Sequence, residues 1–241
     1  MRIAIIGYGR MGKEIESAAR EKGHSIVAII DNISDWEKKD ELLKTADVAI
    51  EFSIPSSAPD NILRCFEKNL PVVSGTTAWL ARMDEIKNVC FSQQQAFCYA
   101  PNFSIGVNVF FEVNRRLAQL MKDFPEYDIS ISEAHHALKA DAPSGTAIRL
   151  ADDIVAEIEH KKGWTGQEPD NDKIAIASIR EGNITGSHTV TYESAFDKIE
   201  ISHDAKSRKG FALGAVKAAE WIIGKQGYFG MNDLLNPDGK Q

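Results

Sequence analysis

The residues best suited to chemistry stand together in Glu133-Ala134-His135-His136-Ala137-Leu138-Lys139-Ala140-Asp141-Ala142-Pro143-Ser144-Gly145-Thr146-Ala147. Two imidazoles and an ammonium offer protons, and Ser144 stands where it can cap a helix. With Ser144 as N-cap, the N–H groups of Gly145 and Thr146 face outward at a positive helix end, a cradle for a carboxylate or phosphate. Lys139 adds a fixed positive charge. A proton donor beside an anion cradle suits reduction of an anionic imine or conjugated acid, because hydride addition creates negative charge that a proton must quench. His135 and His136 are adjacent, so on an extended backbone they point to opposite faces and cannot share one metal; no metal site is expected. The plainer alternative is two surface histidines beside a well-capped helix.

A second constellation opens the chain. Gly7-Tyr8-Gly9-Arg10-Met11-Gly12 fits G-x-G-x-x-G between a β-branched run and a helical stretch. The first glycine permits a tight turn, the second lets the backbone approach a pyrophosphate, and the third lets the helix sit close to the strand. Asp31 closes the next apolar run roughly 20 residues on, where a carboxylate can accept hydrogen bonds from a ribose. The alternative is a Rossmann-like domain without a nucleotide. Asn32 follows Asp31, so no arginine stands there for a 2′-phosphate and charge favours NADH; Arg10 keeps NADPH open.

These residues need elements to hold them. Arg2–Ile6, Ser25–Ile30, Asp47–Phe52 and Pro71–Ser74 are short, nearly continuous apolar runs, which predict parallel strands buried on both faces. Helical stretches over Lys13–Lys22 and Ala58–Lys68 lie between them, so the first hundred residues predict an α/β layer. After residue 102 the character changes. Tyr127–Glu133, Lys173–Arg180, Ser187–Glu193 and Lys198–His203 alternate apolar and polar residues, which predicts strands with one wet face, paired antiparallel. Helices are expected over Ala147–His160 and Phe211–Ile223, and a polar loop over Lys161–Asp172.

Composition sets outer limits. With 35 acidic and 28 basic residues among 241, the net charge is −7, which argues against nucleic acid or an anionic membrane surface as partner. No apolar run approaches the ~20 residues of a membrane span, and the start lacks a signal-peptide layout. Cys65, Cys90 and Cys98 form no C-x-x-C pair and read as buried, reduced thiols of a cytoplasmic protein. His24, His160, His188 and His203 read as surface or strand-packing residues.

The stretch Glu133–Ala147 resembles the signature of the 4-hydroxy-tetrahydrodipicolinate (dihydrodipicolinate) reductase family. Gly9–Gly12, Gly75-Thr76-Thr77, Ala100–Asn108, Ser207-Arg208 and Gly214–Val216 extend the likeness along the chain. The glycine loop is one residue shorter than is common there. Ala137 and Leu138 replace residues that are often basic or histidine, and Gly186-Ser187-His188 stands where Gly-Glu-His is common.

The resemblance implies His135 as catalytic acid/base and Lys139 as proton donor. His136 and the cradle of Ser144, Gly145 and Thr146 would bind a cyclic dicarboxylate. Gly7, Tyr8, Gly9, Arg10, Met11, Gly12 and Asp31 would hold NADH or NADPH, joined by Phe52, Gly75, Thr76, Thr77, Ala100, Pro101, Asn102, Phe103, Arg208 and Phe211. It further implies a cytoplasmic homotetramer of lysine and diaminopimelate synthesis.

The expected fold class is α/β: a Rossmann-type dinucleotide-binding domain plus an α+β substrate domain with an open mixed or antiparallel sheet. The first would take residues 1–102 and 208–241, and the second, for substrate and oligomerisation, residues 103–207. Two rivals remain at this point: another Rossmann-type NAD(P)-dependent oxidoreductase acting on a small carboxylate or imine, and a nucleotide-sensing module without chemistry.

Overall fold

The computed structural model describes residues 1–166 and 170–236. Residues 167–169 of the loop expected over Lys161–Asp172, and residues 237–241 of the expected first domain, lie outside the described residues. The chain divides into two compact units, Met1–Ile105 with Arg208–Gln241, and Gly106–Ser207.

The first unit begins as an alternation of strands and helices. Its elements are β1 (Arg2–Ile6), α1 (Arg10–Glu21), β2 (Ser25–Ile30), α2 (Ile33–Lys38), α3 (Asp40–Leu43), β3 (Val48–Glu51), α4 (Ala58–Glu67), β4 (Val72–Ser74), α5 (Met83–Ser92) and β5 (Ala96–Tyr99). Neighbouring residues of β1 serve different cores, which explains the unbroken apolar run. Ile3 and Ile5 meet Ile15, Ala18 and Ala19 of α1, whereas Ala4 and Ile6 meet Ile62, Cys65 and Phe66 of α4. A parallel strand covered on both faces has no wet side. Helix α1 starts before the expected Lys13, because extended Gly9 acts as its N-cap and accepts the first helical bond from Lys13 N–H at 3.2 Å. The three thiols are free and buried.

The second unit contains α6 (Ile105–Met121), β6 (Asp128–His135), α7 (Gly145–Val155), β7 (Trp164–Thr165), β8 (Ile174–Arg180), β9 (Ser187–Glu193) and β10 (Lys198–Asp204). Its sheet runs β10-β9-β6-β8-β7. Pairing is antiparallel from β6 through β9 to β10, but β8 runs parallel to β6 and β7. Of the two forms expected, mixed or antiparallel, the sheet takes the mixed one. Alternation reports one buried face and is silent on direction, and the chain leaves β6 through α7, a crossover that returns it parallel. Helix α7 also stops at Val155, short of the expected His160. Glu157 and Ile158 both donate backbone N–H to Ile154 O at 3.0 Å, tightening the last turn. Ile158 stays buried, so the apolar periodicity outruns the helix.

The chain then returns to the first unit as α8 (Lys209–Ile222), β11 (Gly227–Phe229) and α9 (Met231–Leu235). The sheet order is β11-β5-β4-β3-β1-β2, all parallel. Small residues of α8 (Ala212, Ala215, Ala218, Ala219) let it lie close on the Ile3/Ile5 core. Progress along the sheet reverses between β1 and β3, and in open α/β sheets that switch point makes a crevice beyond the strand carboxyl ends. Neither α6 nor β5, β7 and β11 is marked by the sequence patterns above. Among the described residues, no helix is long and apolar enough to cross a membrane.

Candidate active site

Gly7, Asp31, Phe52, Gly75 and Ala100 are each the first residue after β1 through β5, so residues distant in sequence line the sheet's carboxyl edge together. Ladder bonds carry slightly past the strands: Phe52 N–H donates to Ile6 O at 2.8 Å and Gly75 N–H to Glu51 O at 3.0 Å. Gly7 has φ +89°, and a Cβ there would stand 2.3 Å from Phe52 O. A Cβ on Gly12 would stand 2.3 Å from Gly7 O, so the helix sits directly on the turn; Gly9 faces open space. Tyr8 N–H donates to Asp31 Oδ1 at 2.8 Å, which gives Asp31 a role in bracing the glycine loop.

Two adjoining grooves follow this edge. One, of about 440 Å³, is lined by Gly7, Tyr8, Gly9, Asp31, Trp36 and Phe52 among others; the next, of about 350 Å³, by Gly9, Arg10, Met11, Phe52, Gly75, Thr76 and Thr77. An elongated cleft with glycine backbone, an exposed arginine and a carboxylate at one end fits a dinucleotide. Pro101 is exposed, while Ala100 and Phe103 are buried behind the edge. Asn102 Oδ1 accepts from Ser104 N–H at 2.8 Å. Arg208 caps α8 and is exposed, with Phe211 three residues on; neither borders these two grooves.

Sequence reading missed the support beneath the cleft. Glu51 is fully buried, and its carboxylate accepts from Ser74 Oγ at 2.6 Å, Ser53 N–H at 3.0 Å and Thr76 Oγ1 at 3.1 Å. Burial pushes its acidity down, raising the pKa against the opposing hydrogen bonds. The available signal was an acid ending an otherwise apolar strand, a position that acids occupy only when paired.

In the second unit, strand register builds the polar cluster. Ile129, Ile131, Glu133 and His135 share one face of β6. Across β9, Ile129 opposes Tyr192, Ile131 opposes Val190, and Glu133 opposes His188. Across β8, Ile131 meets Ile176, Glu133 meets Ser178 and His135 meets Arg180. The apolar rows pack under α6 and α7, and the same face turns polar where α7 begins. Ser144 caps α7, its Oγ accepting from Ala147 N–H at 3.2 Å. Its own N–H donates to Glu133 Oε1 at 3.0 Å, and its Oγ lies 3.1 Å from His188 Nε2.

Glu133 also accepts from Arg180 Nη2 at 2.7 Å and Ser178 Oγ at 2.8 Å. Burial alone would raise its pKa, but the hydrogen bonds from Ser144, Arg180 and Ser178 outweigh it and hold the carboxyl at about 2. Burial lowers His135 against the pull of Glu133, and burial with neighbouring His135 lowers His188 to about 4. Lys139 Nζ is gripped by both oxygens of Asp141, at 2.6 and 2.7 Å. His136 is half-buried, and Gly145 and Thr146 open α7 after the turn that carries Lys139 and Asp141, their N–H groups in the first turn. Among the described residues, Glu133, His135 and His188 alone bring three metal-type donor atoms within 4.8 Å, yet Arg180 already balances that carboxylate.

Family models describe both halves of this architecture: the dihydrodipicolinate reductase N-terminus matches residues 1–103 and the C-terminus residues 106–235. The chain belongs to the dihydrodipicolinate reductase family. It is an oxidoreductase of the family that serves lysine and diaminopimelate synthesis, and that family implies a nicotinamide cofactor. A 4-hydroxy-tetrahydrodipicolinate reductase of Christiangramia forsetii is 50% identical over 236 residues, 98% of each chain. One from Methanoregula boonei is 37% identical over 196 residues, covering 80% of this chain and 76% of its own. A dipicolinate-bound dihydrodipicolinate reductase from Paenisporosarcina superposes with TM-score 0.75 at 20% identity, over 95% of this chain and 97% of that one. A probable dehydrogenase from Thermotoga maritima, at 11% identity and TM-score 0.56 over 97% and 92%, shares the fold alone.

Proposed function

We propose that the chain reduces the dehydrated form of 4-hydroxy-tetrahydrodipicolinate to tetrahydrodipicolinate, with His135 and Lys139 delivering the proton. The observation that carries this reading is a buried imidazole and a capped helix N-terminus gathered on one carboxylate, Glu133, with the Lys139 ammonium tied in through Asp141 and Arg180. When bound, the nicotinamide supplies the hydride. Gly145 and Thr146 N–H groups, with His136, would hold a substrate carboxylate and so fix the ring. Lys139 would act as proton donor as the reduced ring forms, and His135 as the acid/base that completes the transfer.

Glycine-loop N–H groups and Arg10 suit the cofactor phosphates, and Asp31 suits an unphosphorylated ribose, which favours NADH over NADPH. A cytoplasmic homotetramer is proposed with the family; the exposed outer face of the second sheet, with Ile179 about half exposed, supports assembly there. The deciding assay follows NADH and NADPH oxidation with substrate generated enzymatically in place. Turnover with either supports the reading; turnover with neither ends it, as does full activity in His135→Gln.

A further inference from the structure

We infer that Glu133 is a positioning residue for His135, holding the imidazole with Nδ1–H toward its Oε2 and so presenting Nε2 as the nitrogen that exchanges protons. The inference rests on the proposed role of His135 and adds to it the tautomer and the group that sets it.

The two oxygens of Glu133 are used differently. Oε1 takes donors from Ser144, Ser178 and Arg180, on α7's cap and β8. Oε2 has no hydrogen bond among the described residues; it lies 3.4 Å from His135 Nδ1, itself buried without a partner, and 3.6 Å from His188 Nε2, which has Ser144 Oγ at 3.1 Å. Two buried, complementary atoms facing each other are satisfied together if Nδ1 carries the proton. The other tautomer would aim a lone pair at a carboxylate. Hydrogen bonds of this kind are often long before substrate binds and shorten in the complex.

The opposite edge of the ring packs against a glycine. Nε2 lies beside Gly186, where a Cβ would stand 3.1 Å away. Arg180 Nη2 bridges Glu133 and Asp141 O, at 2.7 and 2.6 Å, and Asp141 in turn grips Lys139. One carboxylate thereby references the imidazole, the lysine turn and the helix cap to each other. The charged and titratable groups around His135 are Glu133 on its own strand, Lys139 and Asp141 on the next turn, Arg180 on β8 and His188 on β9, with His203 on β10 behind His188.

Glu133→Gln tests this, because an amide can keep the contacts of Oε1 while putting an N–H donor where Oε2 was. The ring proton of neutral His135 should then move to Nε2, read by 15N NMR of the imidazoles. Removing the anion also disfavours imidazolium, so the limb of kcat/KM that falls with rising pH should shift to lower pH. The expected loss in kcat is about 100-fold, with cofactor affinity unchanged. A merely structural role would move neither tautomer nor limb, and that result overturns the inference. Should the variant fail to fold, the unmodified protein still decides: neutral His135 protonated on Nε2 overturns it, and protonated on Nδ1 supports it. Full activity in His135→Gln would instead remove the underlying reading of His135 and leave the tautomer result standing.

Discussion

The ring of Phe52 lies so close over Gly75 that a Cβ on the glycine would stand 2.2 Å from two ring carbons. Phe52 also meets Phe103, with ring centroids 5.8 Å apart, and it lines both grooves of the nucleotide cleft. Gly75→Ala must therefore push the ring toward the cleft. Overpacking of this kind costs about 1–3 kcal/mol, and if half appears as lost binding the cofactor dissociation constant rises roughly two- to tenfold. Fluorescence titration with NADH measures this; unchanged affinity would show that Phe52 is displaced away from the cofactor.

Asp31 braces Tyr8 N–H and stands where a ribose is expected. A 2′-phosphate brought there meets like charge. Asp31→Ala should lower kcat/KM for NADH more than for NADPH and move their ratio toward NADPH by about tenfold, roughly one close charge interaction near a surface. Parallel assays with both cofactors measure the ratio. If it does not move, Arg10 or another base sets the preference.

Lys139→Ala removes the ammonium held by Asp141 and, with it, the proposed proton donor to the reduced ring. The kcat should fall by about 10²–10⁴, the usual span for a proton-transfer group, while cofactor affinity stays the same. Steady-state kinetics beside a binding titration separates the two. An intact kcat would favour a nucleotide-binding module without chemistry.

His188 should make the fold acid-sensitive. Burial and nearby His135 hold it at about 4, against 6.5 for the free imidazole. Between these values the unfolded chain takes up a proton that the folded chain refuses, so stability is complete above pH 6.5 and declines as pH falls to 4. The loss is about 3 kcal/mol. Glu133, held at about 2, adds a further decline of the same sign below its unfolded value near 4.5. Urea midpoints at pH 7, 5.5 and 4 should fall in that order, and His188→Asn should flatten the slope above pH 4. An equal slope in the variant would assign the acid loss to other groups.

Several features were legible because their causes are local. The turn at Gly7, the cap at Ser144 and the buried runs of β1 and β3 depend on backbone freedom, a side chain reaching three residues ahead, and adjacent residues facing opposite sides. The family likeness, carried by Glu133–Ala147, added the roles of His135 and Lys139. Periodicity misled where it was extended beyond its content, carrying α7 to His160, and it left open whether the second sheet is mixed or antiparallel.

The sequence by itself determined that β1, β3 and β4 are buried on both faces, where the glycine loop and the helix cap fall, and which residues are of a type to carry protonic and anionic chemistry. Only the tertiary structure decided that His188 and Arg180 join Glu133 and His135, and that Glu51 underlies the nucleotide cleft through Ser53, Ser74 and Thr76. Those partnerships depend on register between strands tens of residues apart. Register is fixed by the packing of the whole sheet face, since a slip of one residue would turn Glu133 and His135 out of the core together.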